Sequence, residues 1–205
     1  MIEVPRLMFV PALPANLKEM LEAQVRRLIE VGLPKEVGVD EAKFLDDAMA
    51  MADEFAFSTD LAAIQLDQVW MVHYGVRDRF LMLTGGVTEW TNPDKFTLYE
   101  GVAVPDGLRV EQGQLGLKYK NIAPRDVRQE HDPLEQLGVP KEGLTAFLYW
   151  GKDLLRESYM DFPGAVSEFG SIPYLYLFGE RPVLFDYGDD YATPFCGSVS
   201  LSRGS

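Results

Sequence analysis

The sequence predicts an α+β fold in which an N-terminal helix pair packs on a largely antiparallel sheet, with further helices before a C-terminal strand hairpin. Three observations lead to this class. Apolar residues recur at helical spacing over residues 17–55, strand-like alternation begins after residue 60, and helical patterns return before the last apolar runs. We expect one domain over residues 1–203, and we set Gly204 and Ser205 aside as a cloning remnant.

Two helices are predicted at the start. "NLKEMLEAQVRRLIEVG" begins with Asn16 as an N-cap, with Glu19 three residues later, and ends at Gly32, which suits a left-handed cap. "VDEAKFLDDAMAMADEF" begins again at Asp40. The predicted buried face of this second helix consists of Phe44, Ala48, Met51 and Phe55.

Strand patterns follow. "LAAIQL", "QVWMVHYGV" and "RFLMLTGG" predict three strands, the last two joined as a hairpin across "VRDR". "KFTLYEGVAVPDG" predicts another strand before a turn at residues 105–107, and "LRVEQGQLGLKYKNI" predicts a strand pair broken by glycines. Helices are expected from Pro124 and near Pro140. The run "SIPYLYLFGERPVLFDYG" predicts a hairpin that turns at residues 179–181.

Charge and composition exclude several classes of function. Nineteen basic and thirty-two acidic residues give a net charge of −13, which repels nucleic acid. No apolar run approaches the ~20 residues that cross a bilayer, so we expect no membrane partner. The N-terminus has no basic and apolar leader, and the lone Cys196 cannot form an internal disulfide. We therefore expect a cytoplasmic protein, whose oligomeric state the sequence does not indicate.

The second predicted helix carries much of the acidic excess. Residues 36–60 hold eight acids and only Lys43 as a base. Four of the acids lie opposite the apolar stripe: Asp46, Asp47, Asp53 and Glu54. A solvated face is the ordinary explanation of such a run, and a face that binds a basic protein is the alternative.

Near the C-terminus, three aspartates surround Gly188. Asp186, Asp189 and Asp190 offer hard oxygen ligands to Ca²⁺ or Mg²⁺, and Tyr191 borders them. Their spacing does not match an EF-hand loop, whose ligands alternate and which ends in Glu. A turn rich in Asp and Gly is the ordinary alternative.

The preceding strand alternates aromatic residues with leucines. Tyr174, Tyr176 and Phe178 lie on one predicted face, with Leu175 and Leu177 on the other. Two interpretations remain open at this point. The strand is central and buried on both sides, or its aromatic side lines a pocket that opens to a ligand.

No catalytic motif is recognisable. Cys196 has only His73 and His131 as possible bases, and a zinc site would have to be mostly carboxylate. The serine-hydrolase elbow and the glycine-rich phosphate loops are absent. We therefore predict no cofactor and assign no catalytic residue.

One stretch resembles a known family. "QVRRLIEVGLPKEVGVDEAKFL", residues 24–45, is similar to the opening of an uncharacterised bacterial family, a domain of unknown function. The shared features are Gln24, Leu28, the turn at residues 32–34, Gly38 and Phe44. "GLTAFLYWGKDLL" and "IPYLYLFGERPVLF" follow in the order of that family's later helix and closing strands. The family is richer in Trp and has a His in its closing loop, so the resemblance implies one α+β domain and transfers no site residue.

Two functions from different classes are expected. The favoured one is a non-enzymatic protein-binding module, of the inhibitor or immunity kind, that presents an acidic surface to a basic protein. The alternative is an enzyme or small-ligand binder with an aromatic and acidic pocket near the C-terminal strands. The residues of that pocket would be Tyr174, Tyr176 and Tyr191 together with Asp186, Asp189 and Asp190.

Overall fold

A computed structural model describes residues 16–59, 69–156 and 158–202. The helices are α1 (Leu17–Glu30), α2 (Leu33–Glu36), α3 (Glu41–Ser58), α4 (Asp78–Gly85), α5 (Pro124–Glu130) and α6 (Pro140–Trp150). The strands are β1 (Val69–Tyr74), β2 (Thr88–Glu89), β3 (Phe96–Leu98), β4 (Leu108–Lys120), β5 (Glu135–Leu137), β6 (Tyr159–Asp161), β7 (Ala165–Ser167), β8 (Ser171–Phe178), β9 (Arg181–Gly188) and β10 (Cys196–Ser202). Short 3-10 helices occupy Pro93–Lys95 and Gly151–Leu155.

Eight of these strands form one mixed sheet. Its order is β1-β4-β10-β6-β8-β9-β2, and β5 pairs with the end of β10. The pairs β10–β6 and β2–β9 are parallel and the other pairs are antiparallel. β3 and β7 form a separate two-stranded sheet. The predicted α+β class is confirmed, as are the N-terminal helix pair and the hairpin of β8 and β9.

The N-terminal helices begin where their caps predict. The Asn16 side chain accepts a hydrogen bond from the Glu19 amide, and Asp40 accepts one from the Lys43 amide. α1 and α3 pack on each other, α1 against β1 and α3 against β4. No helix in the described ranges has the length and apolar character that a membrane crossing requires.

Buried Gln24 completes the outer edge of the sheet. β1 is the first strand in the order, so among the described strands none pairs with the backbone groups on its outer side. The Gln24 amide donates to the Trp70 carbonyl at 3.0 Å and accepts from the Val72 amide at 2.8 Å. A single side chain of α1 thus takes the place of a strand residue.

The other side of the sheet is covered by α6, which packs against α4, β1 and β8. Gly143 in this helix lies against the fully buried Phe162 ring. A Cβ atom at Gly143 would lie 2.2 Å from a ring carbon of Phe162. The glycine is therefore required by close contact within the core, although glycine weakens a helix.

The predicted strand at residues 79–86 is wrong, because this segment is helix α4. Asp78 lies in its first turn, and Gly86 closes it in the left-handed conformation at φ 66°. The hairpin across "VRDR" is therefore absent from the described residues. A short apolar run fits both a strand and a buried helix. The left-handed Gly86 at the end of this run is typical of a helix C-terminus and so favours the helix.

The predicted strand pair at residues 108–122 is a single long strand, β4, with a bulge. Gly116 adopts φ +96° there, and the Gln114 side chain accepts hydrogen bonds from the Gly116 and Lys118 amides. The glycines thus mark a bulge rather than a turn. The strand predicted at residues 61–66 lies outside the described residues.

Gly143→Ala should destabilise the fold by about 1–3 kcal/mol, because the added methyl group overlaps the Phe162 ring. The matched control is Gly85→Ala at the end of α4, where the new Cβ would meet its nearest atom at an ordinary 3.4 Å. The control should be neutral or stabilise by up to about 1 kcal/mol. Urea unfolding measures both, and equal effects would contradict the predicted contact.

Candidate functional site

The C-terminal strands place a set of aromatic side chains on one face of the sheet. In the strand register, Tyr174 lies opposite both Asp161 of β6 and Phe185 of β9, and paired residues point to the same face. Nine rings are linked by contacts and form what we call the aromatic face: Trp90, Tyr159, Tyr174, Tyr176, Phe178, Phe185, Tyr187, Tyr191 and Phe195.

The aromatic face is open to solvent. Tyr174 and Tyr176 stack with their centroids 5.0 Å apart, and Tyr187 meets Tyr174 edge-on at 4.8 Å. Tyr174 and Tyr176 are half-buried, and Phe178 is 59% exposed. β8 is therefore a central strand whose leucine side lies in the core and whose tyrosine side is partly exposed, so it is not buried on both sides along its length, and a ligand pocket there stays a prediction. Large exposed aromatic patches mark interaction sites in soluble proteins.

A buried polar cluster lies at the base of this face. Asp161 is fully buried, in register with Tyr174 of β8 on one side and Ser198 of β10 on the other. No group in the described chain makes a well-aligned hydrogen bond to either Asp161 oxygen, although the Tyr187 hydroxyl and the Cys196 thiol lie close enough to act as donors. The Ser198 hydroxyl likewise has no well-aligned partner among the described residues.

Burial controls the protonation of this cluster. It raises the pKa of Asp161 to about 7, although the Tyr187 and Cys196 side chains act in the opposite direction. Burial, reinforced by Asp161, raises the pKa of the Cys196 thiol to about 12. The thiol is therefore protonated at neutral pH and is not an activated nucleophile.

The three aspartates of the C-terminal loop do not converge. Asp186 pairs with Lys95 at 2.8 Å and accepts a hydrogen bond from Thr91. Burial alone would raise the pKa of Asp186, but these hydrogen bonds hold it below its usual range. Asp189 pairs at 2.8 Å with the buried Arg128 of α5, and Asp190 is exposed. Two of the three thus hold parts of the fold together, and metal binding by the loop stays a prediction.

The acidic residues of α3 are exposed, as expected for a solvated face. Asp47 pairs with Lys43, and Asp53 pairs with Lys18 of α1 at 2.8 Å. Asp46 and Glu54 have no ion pair within the described ranges. Cations of the same chain therefore neutralise half of this predicted surface.

A second buried cluster was not anticipated from the sequence. His73 of β1, Glu111 of β4 and Glu142 of α6 each offer one ligand atom, and these atoms lie within 4.8 Å of one another. Burial, with a contribution from Arg109, lowers the pKa of His73 to about 3. Burial, with Glu111 nearby, raises the pKa of Glu142 to about 8.

Each member of this second cluster has a local structural role that hides it in the sequence. His73 occupies a buried position of strand β1, where an alternating apolar strand is the ordinary interpretation of the sequence. Glu142 accepts a hydrogen bond from the Val139 amide at 2.7 Å and so caps α6. Glu111 pairs with Arg109 at 2.6 Å. The one signal in the sequence was Glu142 at the third position of a predicted helix. An acid at that position is common at helix starts and does not by itself indicate a buried cluster.

Comparisons of the chain with protein-family models, with curated proteins and with solved structures give no match in any of the three. The resemblance to an uncharacterised bacterial family therefore stays a prediction. What the chain does has to be inferred from its own sites.

Asp161→Asn should change how stability depends on pH. The folded-state pKa of Asp161 is about 7, against about 4 for an ordinary Asp, so the folded state retains a proton that the unfolded chain has lost. Wild-type stability from this group is thus present at low pH and is lost as pH rises through about 7. The asparagine variant mimics the protonated form, so it should lose less stability than wild type as the pH rises.

Urea unfolding at pH 5 and pH 8 checks this expectation. Between pH 5 and pH 8, the free energy of unfolding of the variant should rise relative to that of wild type, by at most ~1.4 kcal/mol per pH unit. Asp190→Asn at an exposed position is the matched control and should follow wild type. A parallel response of Asp161→Asn and wild type would show that Asp161 is ionised throughout.

Proposed function

We propose that this protein binds a small organic cation on its aromatic face, with Asp161 as the buried counter-charge. The single observation that carries the proposal is the buried Asp161 carboxylate, which pairs with no cation of the described chain, at the base of an exposed aromatic surface. An ionised buried carboxylate without a counter-charge is unfavourable on its own. A positive ligand above it would offset that cost.

The aromatic rings suit such a ligand. The face of a Tyr or Trp ring attracts ammonium groups, and several rings together form a cage for them. In the described part of the chain, the cations that lie over rings use Phe96, Tyr99 and Tyr119, which are outside the aromatic face. The net charge of −13 also favours the approach of cations over anions.

Binding and protonation should be linked at this site. Asp161 has a pKa of about 7, raised by burial, and Tyr174, Tyr187 and Cys196 lie near enough to interact with it. A cation stabilises the ionised carboxylate, since two opposite charges interact strongly in a low-dielectric surrounding. Affinity should therefore rise as pH increases through about 7.

The site supports binding without a covalent step. The one thiol near Asp161 is protonated at neutral pH, because the pKa of Cys196 is raised to about 12. The two histidines lie elsewhere, His73 beside α6 and His131 at the end of α5. The described residues of the aromatic face thus contain no nucleophile and base pair.

A panel of primary and quaternary ammonium compounds tests the proposal, with neutral compounds of the same shape as reference. Cationic members should raise the melting temperature and change the fluorescence of Trp90, because ligand binds the folded state alone. Asp161→Asn should abolish the preference for cations, and Asp190→Asn should retain it. Equal shifts with neutral compounds, or no shift with either set, would refute a cation site.

Recognition of a basic protein by α3 stays a second prediction. The exposed Asp46 and Glu54 favour it, while the pairs of Asp47 and Asp53 weaken it. Reversal of Asp46 and Glu54 to Lys should slow association with a basic partner by about tenfold or more at low salt. Surface plasmon resonance over a salt series measures this rate. A rate indifferent to both charge reversal and salt would remove α3 from the interface.

A further inference from the structure

We infer that His73, Glu111 and Glu142 form a binding site for a first-row divalent transition-metal ion. This is the one group of three or more potential metal ligands found in the described residues. It combines one imidazole with two carboxylates, brought together by β1, β4 and α6. The inference goes beyond the cation proposal and does not rest on it.

The site lies on the opposite side of the sheet from the aromatic face. Glu111 shares a face with Gly113, which pairs with Leu201 of β10. Asp161 pairs with Ser198, and Ser198 lies three residues before Leu201 and so points the other way. The sheet therefore separates the two sites, and variants of one leave the other intact.

Unpartnered atoms point to a missing ligand. His73 and Glu142 are both fully buried. In the described chain, His73 Nδ1, Glu111 Oε2 and Glu142 Oε1 are buried and have no hydrogen-bond partner. Buried polar atoms are nearly always paired, so three such atoms on neighbouring side chains need an explanation. An ion held by these three side chains would supply one.

The second polar atom of each of these three side chains is already hydrogen-bonded within the protein. His73 Nε2 lies 3.1 Å from the Thr145 hydroxyl, Arg109 Nε donates to Glu111 Oε1 at 2.6 Å, and the Val139 amide donates to Glu142 Oε2 at 2.7 Å. Each ligand thus keeps one atom bonded to the protein and one atom free. Outer contacts of this kind orient metal ligands in proteins.

The donor atoms select the kind of metal. Ca²⁺ and Mg²⁺ take oxygen ligands, so an imidazole at the centre disfavours them. Zn²⁺, Co²⁺ and Mn²⁺ accept imidazole and carboxylate together. Three protein ligands also leave a coordination position for water, as in catalytic metal sites.

Distance and charge are compatible with this assignment. Ligands ~2.1 Å from a tetrahedral ion lie roughly 3.4 Å apart. One potential ligand atom from each of the three side chains lies within 4.8 Å of the other two, so the side chains must move closer together when an ion binds. Arg109 and Lys141 are the cations near this group, and an ion that binds here would displace the proton of Glu142, whose pKa burial raises to about 8. The Glu111 side chain is 11% exposed, which leaves an approach for the ion.

Metal binding to the chelator-treated full chain tests the inference. Thermal melting and titration calorimetry with Zn²⁺, Co²⁺ and Mn²⁺ should show a raised melting temperature and one ion per chain, because the ion binds the folded state. Ca²⁺ and Mg²⁺ should give no comparable shift. Bound Co²⁺ should also give a visible absorption band that reports its ligand geometry.

Three variants locate the ion. Glu142→Gln and Glu111→Gln keep the side-chain shape and remove one ligand each, and each should weaken binding more than about tenfold. The matched control is Glu135→Gln, a half-buried acid whose partners are Lys118, Tyr119 and Ser200. It should bind metal like wild type. Circular dichroism confirms folding, and the partly exposed Glu111 keeps the test valid if Glu142→Gln does not fold.

Each outcome of these metal-binding measurements either supports or overturns the inferred site. Loss of the Co²⁺ band in Glu111→Gln or Glu142→Gln, with the control unchanged, supports the site. Equal binding by wild type and all variants places the ion elsewhere and overturns the inference. The absence of stabilisation by any of the three transition metals also overturns it, and the buried carboxylates would then share protons instead.

Discussion

The sheet depends on the insertion of its last strand into its centre. β10 lies between β4 and β6, so it joins β1 and β4 on one side to β6 and the β8–β9 hairpin on the other. β10 and β4 lie very close together at one point, since a Cβ at Gly197 would lie 2.0 Å from the Gly116 carbonyl oxygen. A side chain at either glycine would force the strands apart. Val199 and Leu201 of the same strand are buried in the main core.

The two sides of this sheet are used differently. α4 and α6 cover one side, where apolar packing surrounds a small polar cluster. On the other side, helices cover the sheet only in part, and the strands of the hairpin expose aromatic rings. Alternation along β6, β8 and β10 directs leucine and valine to the first side and tyrosine, aspartate and serine to the second. One sheet thereby carries two chemically distinct groups of buried polar side chains.

Buried carboxylates distinguish both sites from the rest of an acidic protein. Most of the acids lie on the surface, where several pair with lysine or arginine at little energetic effect. Asp161 and Glu142 are fully buried, and burial raises the pKa of Asp161 to about 7 and that of Glu142 to about 8. Groups held in this way are costly to the fold and are concentrated at functional sites. They are therefore better guides to function than the net charge.

The sequence predicts the features that local physics sets. Asn16 and Asp40 start helices because their side chains bond nearby amides, and the hairpin turn and the exposed acidic side of α3 follow the same local rules. It did not determine α4, the place of β10, or the meeting of His73 with Glu111 and Glu142. A short apolar run fits two periodicities, and side chains far apart along the chain meet only when strands pair. Tertiary structure alone decided which carboxylates are buried, because that depends on what packs against them.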